Sequence, residues 1–588
     1  MPIEFRNYFI PKSFLSIAVS AAMGVSVLIS CATQQPTTSS APHSVGEALE
    51  VVHNYSPDQL RGTNSEFRNW WNVLRYDITI APDYEKRFID GITDIRFEIT
   101  GSTKDSILQI DLQQPMQIVE ILQITANPSN NQRNVDIALP ADAWTRDGNA
   151  YFIDFKQFPN KSLKEYDIKI KYSGHPIVAK NAPWDGGWVF ARDEKGRPWM
   201  SAAVQGLGAS SWYPNKDYQG DEPDLGATLS MIVPDELVAI GNGRMWESSF
   251  EKGDPGKNVY TWEVVNPINN YNIIPYIGQY VHFQDVYHGM AGELDLHYWV
   301  LDYNLEKAKE HFVQVKPMMQ AFEDWMGKYP FYEDSYKLVE SPYLGMEHQS
   351  NVAYGNRYTN GYLGRDTSGT GWGMKFDFII VHETGHEWFG NSITTEQKAD
   401  MWVHEGFTTY TEVMYLDYLH GTEAGNAYVQ GLRRTIQNKR PLIGTYDVNK
   451  SGDSDMYNKG ANIIHTLRQL IEDDTKFKQI IRDMNSKYFH SIVTTQNIED
   501  FMSRESGIDL TEFFEQYLRT NKVPVLEVRK QGNDIEFRWN NIITGFDMPV
   551  KLQNSEEWIY PKAEWTHYQG SAQKIEPDKN FYINFRQL

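Results

Sequence analysis

The stretch VHETGHEWFGN, residues 381–391, puts two histidines and two glutamates, His382, Glu383, His386 and Glu387, within six positions. Residues four apart on an α-helix differ by about 40° in azimuth, so both imidazoles leave one face and can grip a single metal ion. The longer segment FDFIIVHETGHEWFGN, residues 376–391, is compatible with a helix that stops at Gly390-Asn391. Glu383 sits beside the first histidine, where a carboxylate can take a proton from an attacking water. Glu387 is rotated about 100° off the histidine, which removes it from the ligand set. A catalytic zinc site needs three protein ligands and one open position, so one ligand is still to be found. The plainer alternative is a helix with two surface histidines.

A third histidine six residues after His386, the His-Glu-x-x-His-x-x-Gly-x-x-His arrangement, would fall at Ser392, and Phe389 stands where that pattern needs glycine. A carboxylate on the next helix is the other option. ADMWVHEGFTTYTEVMYLDYL, residues 399–419, supplies Glu405, 19 residues after His386, among the apolar residues Met401, Trp402, Phe407 and Val413. His382, His386 and Glu405 then leave a fourth position free. Imidazole with carboxylate is a ligand set suited to Zn²⁺, one ion per chain.

This constellation resembles peptidase family M1, the gluzincin aminopeptidases that include aminopeptidase N and leukotriene hydrolase. Trp388-Phe389-Gly390-Asn391 and Trp402-Val403-His404-Glu405-Gly406-Phe407 are similar to the runs flanking the ligands in that family. The Asn-Glu-x-x-Ser-Asp run of thermolysin-like enzymes is not supplied by HEGFTT, residues 404–409. An enzyme that trims N-termini must hold a free ammonium beside the metal, and a carboxylate does this. The resemblance implies Glu347 for that role, in YLGMEHQS, residues 343–350, where the family has Gly-x-Met-Glu-Asn. Leu344 replaces the first glycine and His348 the asparagine. Gly345 and Met346 are implied to line the substrate, and Gln205, in VQGLGASSWYPNKDYQGDEPD (residues 204–224), to meet its amine. Tyr457, in DMYNKGANIIHTLRQL (residues 455–470), is implied to donate to the oxyanion of the reaction. The expectation is a zinc metallo-aminopeptidase acting on peptides with a free N-terminus. The rivals are a zinc hydrolase of other chemistry, such as epoxide opening, and a silent surface-binding module.

The rest of the chain sets the frame. At 588 residues it exceeds one domain, and its net charge of −22 argues against nucleic-acid partners. Arg6 and Lys12 precede an uncharged apolar run over residues 14–30 that ends at Cys31, the one cysteine. This reads as a secretory signal, and Leu28-Ile29-Ser30-Cys31 resembles a bacterial lipobox, the alternative being an uncleaved anchor. The expectation is an exported lipoprotein of the cell envelope, held at the membrane through lipidated Cys31, outer-membrane and facing periplasm or surface.

Residues 1–31 are thus a leader and 32–65 a flexible tether rich in Thr, Ser, Pro and Gln. Period-two alternation follows, with Ile95, Phe97 and Ile99 on one face and Ile168, Ile170 and Tyr172 on another. Residues 66–290 are read as an antiparallel β domain. Helical spacing of Ala308, Phe312, Met319 and Phe322 opens a mainly helical stretch over 291–522, and alternation returns over 523–588. The fold class is α+β and multidomain. The resemblance implies a β saddle, a thermolysin-like catalytic domain and a small C-terminal β sandwich. The long helical C-terminal domain of many relatives is expected to be absent, leaving an open cleft or one closed by a partner subunit. GYLGRDTSGTGWG, residues 361–373, lacks the Gly-Lys-Ser/Thr ending of a phosphate loop and reads as a connecting loop.

Overall fold

A computed structural model describes residues 49–103, 106–126, 134–160, 163–246, 255–532, 534–570 and 574–588. The expected leader with Cys31 and residues 32–48 of the expected tether lie outside the described residues.

Alternation becomes pleat. Ile95 and Phe97 on the strand Phe88–Ile99 and Ile168, Ile170 and Tyr172 on Glu165–Gly174 are all buried, with Ile95 opposite Ile168 in an antiparallel pair. These strands belong to an eight-stranded sheet. The expectation of an antiparallel domain fails at one pair: Trp71–Asp83 runs parallel to Ala227–Pro234. No hairpin joins those two strands, so nothing local imposes the antiparallel sense. Val238–Ile240 follows a turn after Pro234 and enters a separate four-stranded sheet with Tyr276–Gly278, Pro198–Ala203 and Gly187–Arg192. Trp71, Tyr76, Trp188 and Trp212 are buried in the core these sheets share.

The sheet that carries the site begins at Tyr280, ahead of the expected boundary at residue 290. Its order is Tyr280–Gly289, Gly292–Leu301, Tyr336–Glu340, Val352–Tyr354, Gly345–Met346, which leaves Gly345–Met346 as an edge strand. The helical spacing after Tyr303 is realised as two helices, Leu305–His311 and Val315–Met326, around a 3₁₀ turn at Phe312–Gln314. Pro317 has no N–H to donate and its ring crowds the carbonyl four residues back, which breaks the continuous helix. The apolar stripe survives, and Ala308, Phe312, Met319 and Phe322 are buried.

Residues 49–65 correct the tether reading. Pro57–Gly62 is a helix with a Ser56/Gln59 capping box, and Leu60 packs in a small cluster with Phe67 and Phe152. Asn449 N donates to the Asp58 carbonyl at 3.1 Å and Thr63 Oγ1 to that of Asp447 at 3.0 Å. The Ser-Pro-Asp-Gln start signal was in the sequence, but a single turn of helix has too little periodicity to stand out. At the C-terminal end, the strands Val525–Gln531, Asp534–Asn540, Thr566–His567 and Asn584–Gln587 form one sheet, with Val550–Lys551 and Trp558–Ile559 paired beside it. Leu526, Phe537 and Trp539 join the same hydrophobic cluster as the helices Phe378–Gly385 and Trp402–His420, so this part packs as a layer on the helical region.

Candidate metal centre and substrate site

His382 lies on the helix Phe378–Gly385, capped at its start by the Asp377 carboxylate on the N–H groups of Ile379 and Ile380. The helix ends sooner than Gly390-Asn391, the expected stop. After His386 the chain widens into turns whose N–H groups bond five residues back, Asn391 to His386 and Ser392 to Glu387. Glu405 comes from the facing helix Trp402–His420. The side-chain donors of His382, His386 and Glu405 lie within 4.8 Å of one another, all buried. His382 donates its Nδ1–H to Glu412 Oε1 at 2.7 Å, and His386 donates its own to the Phe389 carbonyl at 2.9 Å. Both Nε2 lone pairs are thereby left facing Glu405 Oε2, at 3.8 and 3.3 Å.

That oxygen is buried and has no hydrogen-bond partner among the described residues. A buried unpaired carboxylate oxygen is costly, and a cation among the three donors removes the cost. A tetrahedral ion bound at 2.0–2.1 Å separates its ligands by about 3.4 Å, close to the spacing found. The residues present therefore fit Zn²⁺. Glycines allow the approach: a Cβ on Gly385 would lie 2.4 Å from Thr411 Oγ1, and one on Gly460 2.7 Å from the Gly406 Cα. The second contact lets the helix Asn458–Ile471, with Tyr457 at its start, close onto Glu405.

Glu383 is buried beside this cluster, and burial pushes its carboxyl up to about 7 against the pull of His382. Gly345 faces it; a Cβ there would come within 2.7 Å of Glu383 Oε1. Met346 is buried on the same edge strand. Glu347 follows, and its carboxylate also comes within 4.8 Å of the Glu383 carboxylate and a His386 ring nitrogen in a second cluster of donors. Glu347 Oε1 accepts from Gln205 Nε2 and, at 3.0 Å, from the Tyr271 hydroxyl. Asn391 Nδ2 fixes the Glu347 carbonyl at 2.8 Å. The Tyr457 ring lies 6.0 Å from that of His382 at an interplanar angle of 28°, and its phenol faces the Glu405 carboxylate. Burial and the carboxylates of Glu405, Glu347 and Glu383 hold that phenol well above its usual pKa, so it remains a donor.

The residues expected from the sequence to bind metal or substrate or to act on it are thus in one place, and the two departures find structural explanations. His348 points into the core, its Nδ1 2.6 Å from the Tyr276 hydroxyl, and burial lowers its pKa to about 3, which keeps it neutral. Leu344 is half-buried and its carbonyl accepts from Gly355 N at 2.7 Å. Glu387 lies outside the donor clusters found among the described residues and accepts from Tyr329 and from Ser350 N, tying the histidine turn to the Glu347 loop. Sequence reasoning missed Glu412 and Tyr271. Glu412 was findable, being two helical turns after Glu405 on the same face; Tyr271 had no local signal. Glu412→Ala is expected to weaken zinc binding by about 10–100-fold, read by competition with a chelating dye, with the fold intact by circular dichroism.

A His-Glu-x-x-His helix facing a ligand glutamate defines a two-histidine, one-carboxylate metal centre. Residues 311–517 match the Peptidase family M1 domain. It is 22 % identical over 397 residues to "Probable aminopeptidase 2" of Sulfurisphaera tokodaii, an alignment covering 65 % of this chain and 48 % of the relative. It is 21 % identical over 572 residues to "Glutamyl aminopeptidase" of Sus scrofa, covering 90 % and 57 %. The chain spans about half the length of the curated relatives it matches. Among solved structures, the M1 zinc metallopeptidase from Deinococcus radiodurans shares the fold at a TM-score of 0.62 and 18 % identity, over 78 % of this chain and 96 % of that one.

Proposed function

We propose that the protein is a zinc-dependent aminopeptidase that removes N-terminal residues from peptides. One observation carries the reading: the Glu347 carboxylate stands within 4.8 Å of the donor atoms of His386 and Glu383, one residue's reach from the metal cluster. A buried carboxylate there pairs with a substrate ammonium and sets the first peptide bond over the base. His382, His386 and Glu405 would hold the ion, which when bound supplies Lewis-acid polarisation of the scissile carbonyl. Glu383 takes the proton of the attacking water and returns it to the leaving amine. Tyr457 donates its phenol to the developing oxyanion. Glu347, with Gln205 and Tyr271 behind it, holds the ammonium, while the free edge of Gly345–Met346 lies alongside the substrate backbone.

Several sequence relatives are named as aminopeptidases, which supports the reading. The domain arrangement that goes with it is a β saddle, a thermolysin-like catalytic domain and a small β sandwich. Hydrolysis of L-leucine p-nitroanilide that stops on chelation and returns with Zn²⁺ is the expected result. Turnover of a lipid epoxide with no anilide cleavage would transfer the site to the rival chemistry. Residues 1–31 support a second element of the proposal, an exported protein lipidated at Cys31 in the cell envelope. Radiolabelled palmitate should enter the expressed protein and be lost in Cys31→Ser; equal labelling of both would refute the anchor.

A further inference from the structure

Gln205 touches Glu347 from the end of a tight turn in which Gly208 N bonds the Val204 carbonyl at 2.6 Å. Such a turn presents its carbonyls outward, and here they are held from outside. Lys398 Nζ donates to the Gln205 carbonyl at 2.5 Å and to that of Gly206 at 3.2 Å. Arg61 Nη2, from the helix Pro57–Gly62, reaches the same Gly206 carbonyl at 3.3 Å, while its Nε faces Asp217 at 3.3 Å. Lys398 begins the 3₁₀ turn Lys398–Asp400 that leads into the helix bearing Glu405.

Among the described residues Lys398 makes no ion pair within 4.0 Å; its ammonium is engaged by two main-chain oxygens. Its geometry ties the turn carrying Gln205 to the element carrying Glu405.

We propose that Lys398, backed by Arg61, is a positioning residue that fixes Gln205 against Glu347 and so sets the distance between the amine subsite and the metal. This rests on the aminopeptidase reading. Without the clamp the Gln205 turn is free to shift, the amide leaves Glu347, and the substrate amine is held less well while the reacting groups stay in place.

The test compares zinc-loaded wild type, Lys398→Met, Gln205→Ala and the double variant on L-leucine p-nitroanilide. Lys398→Met is expected to raise KM about tenfold with kcat within about twofold, the signature of weakened ground-state binding. In the Gln205→Ala background the same change should add less than about twofold, because the amide it positions is gone. A full tenfold effect in both backgrounds, an unchanged KM, or a kcat loss accompanied by loss of zinc would overturn the proposal. If Lys398→Met does not fold, Arg61→Gln serves instead, with an expected KM rise of about threefold that likewise vanishes without Gln205. Wild-type turnover judges the aminopeptidase reading separately. The positioning claim is also read from calorimetry of L-leucinol, which has the free amine but no scissile bond, and its affinity should show the same ratios.

Discussion

Glu383→Gln should abolish turnover while zinc remains bound. Glutamine keeps the shape of the side chain and can still accept one hydrogen bond, but it cannot take a proton from water or return one to the leaving amine. General acid–base catalysis contributes about 10²–10⁴-fold, and here one group serves both transfers, so a kcat loss of at least about 10³-fold is expected. Metal content should stay at one per chain, since Glu383 is outside the His382, His386 and Glu405 cluster. Paired measurements of kcat and of zinc by mass spectrometry settle it. An active Glu383→Gln enzyme would remove the base from the mechanism, and a zinc-free one would make Glu383 a ligand.

Glu347→Ala should remove the preference for a free N-terminus. The glutamate is buried, and its Oε1 is the meeting point of Gln205 and Tyr271. Removing it leaves a substrate ammonium desolvated without a counter-charge, which is costlier than losing a surface ion pair. The expected loss in kcat/KM on free-amine substrates is about 10²–10³-fold, or roughly 3–4 kcal/mol. The ratio of free to N-acetylated substrate turnover should fall with it. A variant that loses activity equally on both kinds would show that Glu347 supports the fold rather than reading the amine.

How far the sequence carried depended on how local each signal was. His382, Glu383 and His386 share one turn, and Glu405 lies on the next helix with its own aromatic neighbours, so the metal set was legible from spacing. Glu347, Gln205 and Tyr457 were reachable through family resemblance, because more than a hundred residues separate each from the next and only the fold brings them together. Tyr271 could not be found: it is one of 34 tyrosines, and its meaning comes from a contact with Glu347 across 76 positions. The same limit explains the parallel pairing of Trp71–Asp83 with Ala227–Pro234, which alternation alone does not distinguish from an antiparallel one. Residues 49–65 failed for the opposite reason. Their helix is a single capped turn whose partners, Asp447 and Asn449, are remote in sequence.

The His348 and Leu344 departures illustrate how a motif mismatch resolves once packing is visible. Both alter the loop around Glu347, and neither moves its carboxylate away from the donor atoms of Glu383 and His386. Glu387, the second glutamate of the opening stretch, proves to be a fastening between the histidine turn and Ser350, with burial raising its pKa to about 8.

The central claim is that a carboxylate beside the metal reads a free amine. It is tested most directly by incubating the zinc-loaded protein with Leu-Gly-Gly and with N-acetyl-Leu-Gly-Gly, each with and without 1,10-phenanthroline, and following the release of leucine or N-acetyl-leucine. Release of leucine from the free peptide alone, abolished by the chelator, is the predicted result. Equal cleavage of the acetylated peptide, or cleavage of either that survives chelation, would contradict it.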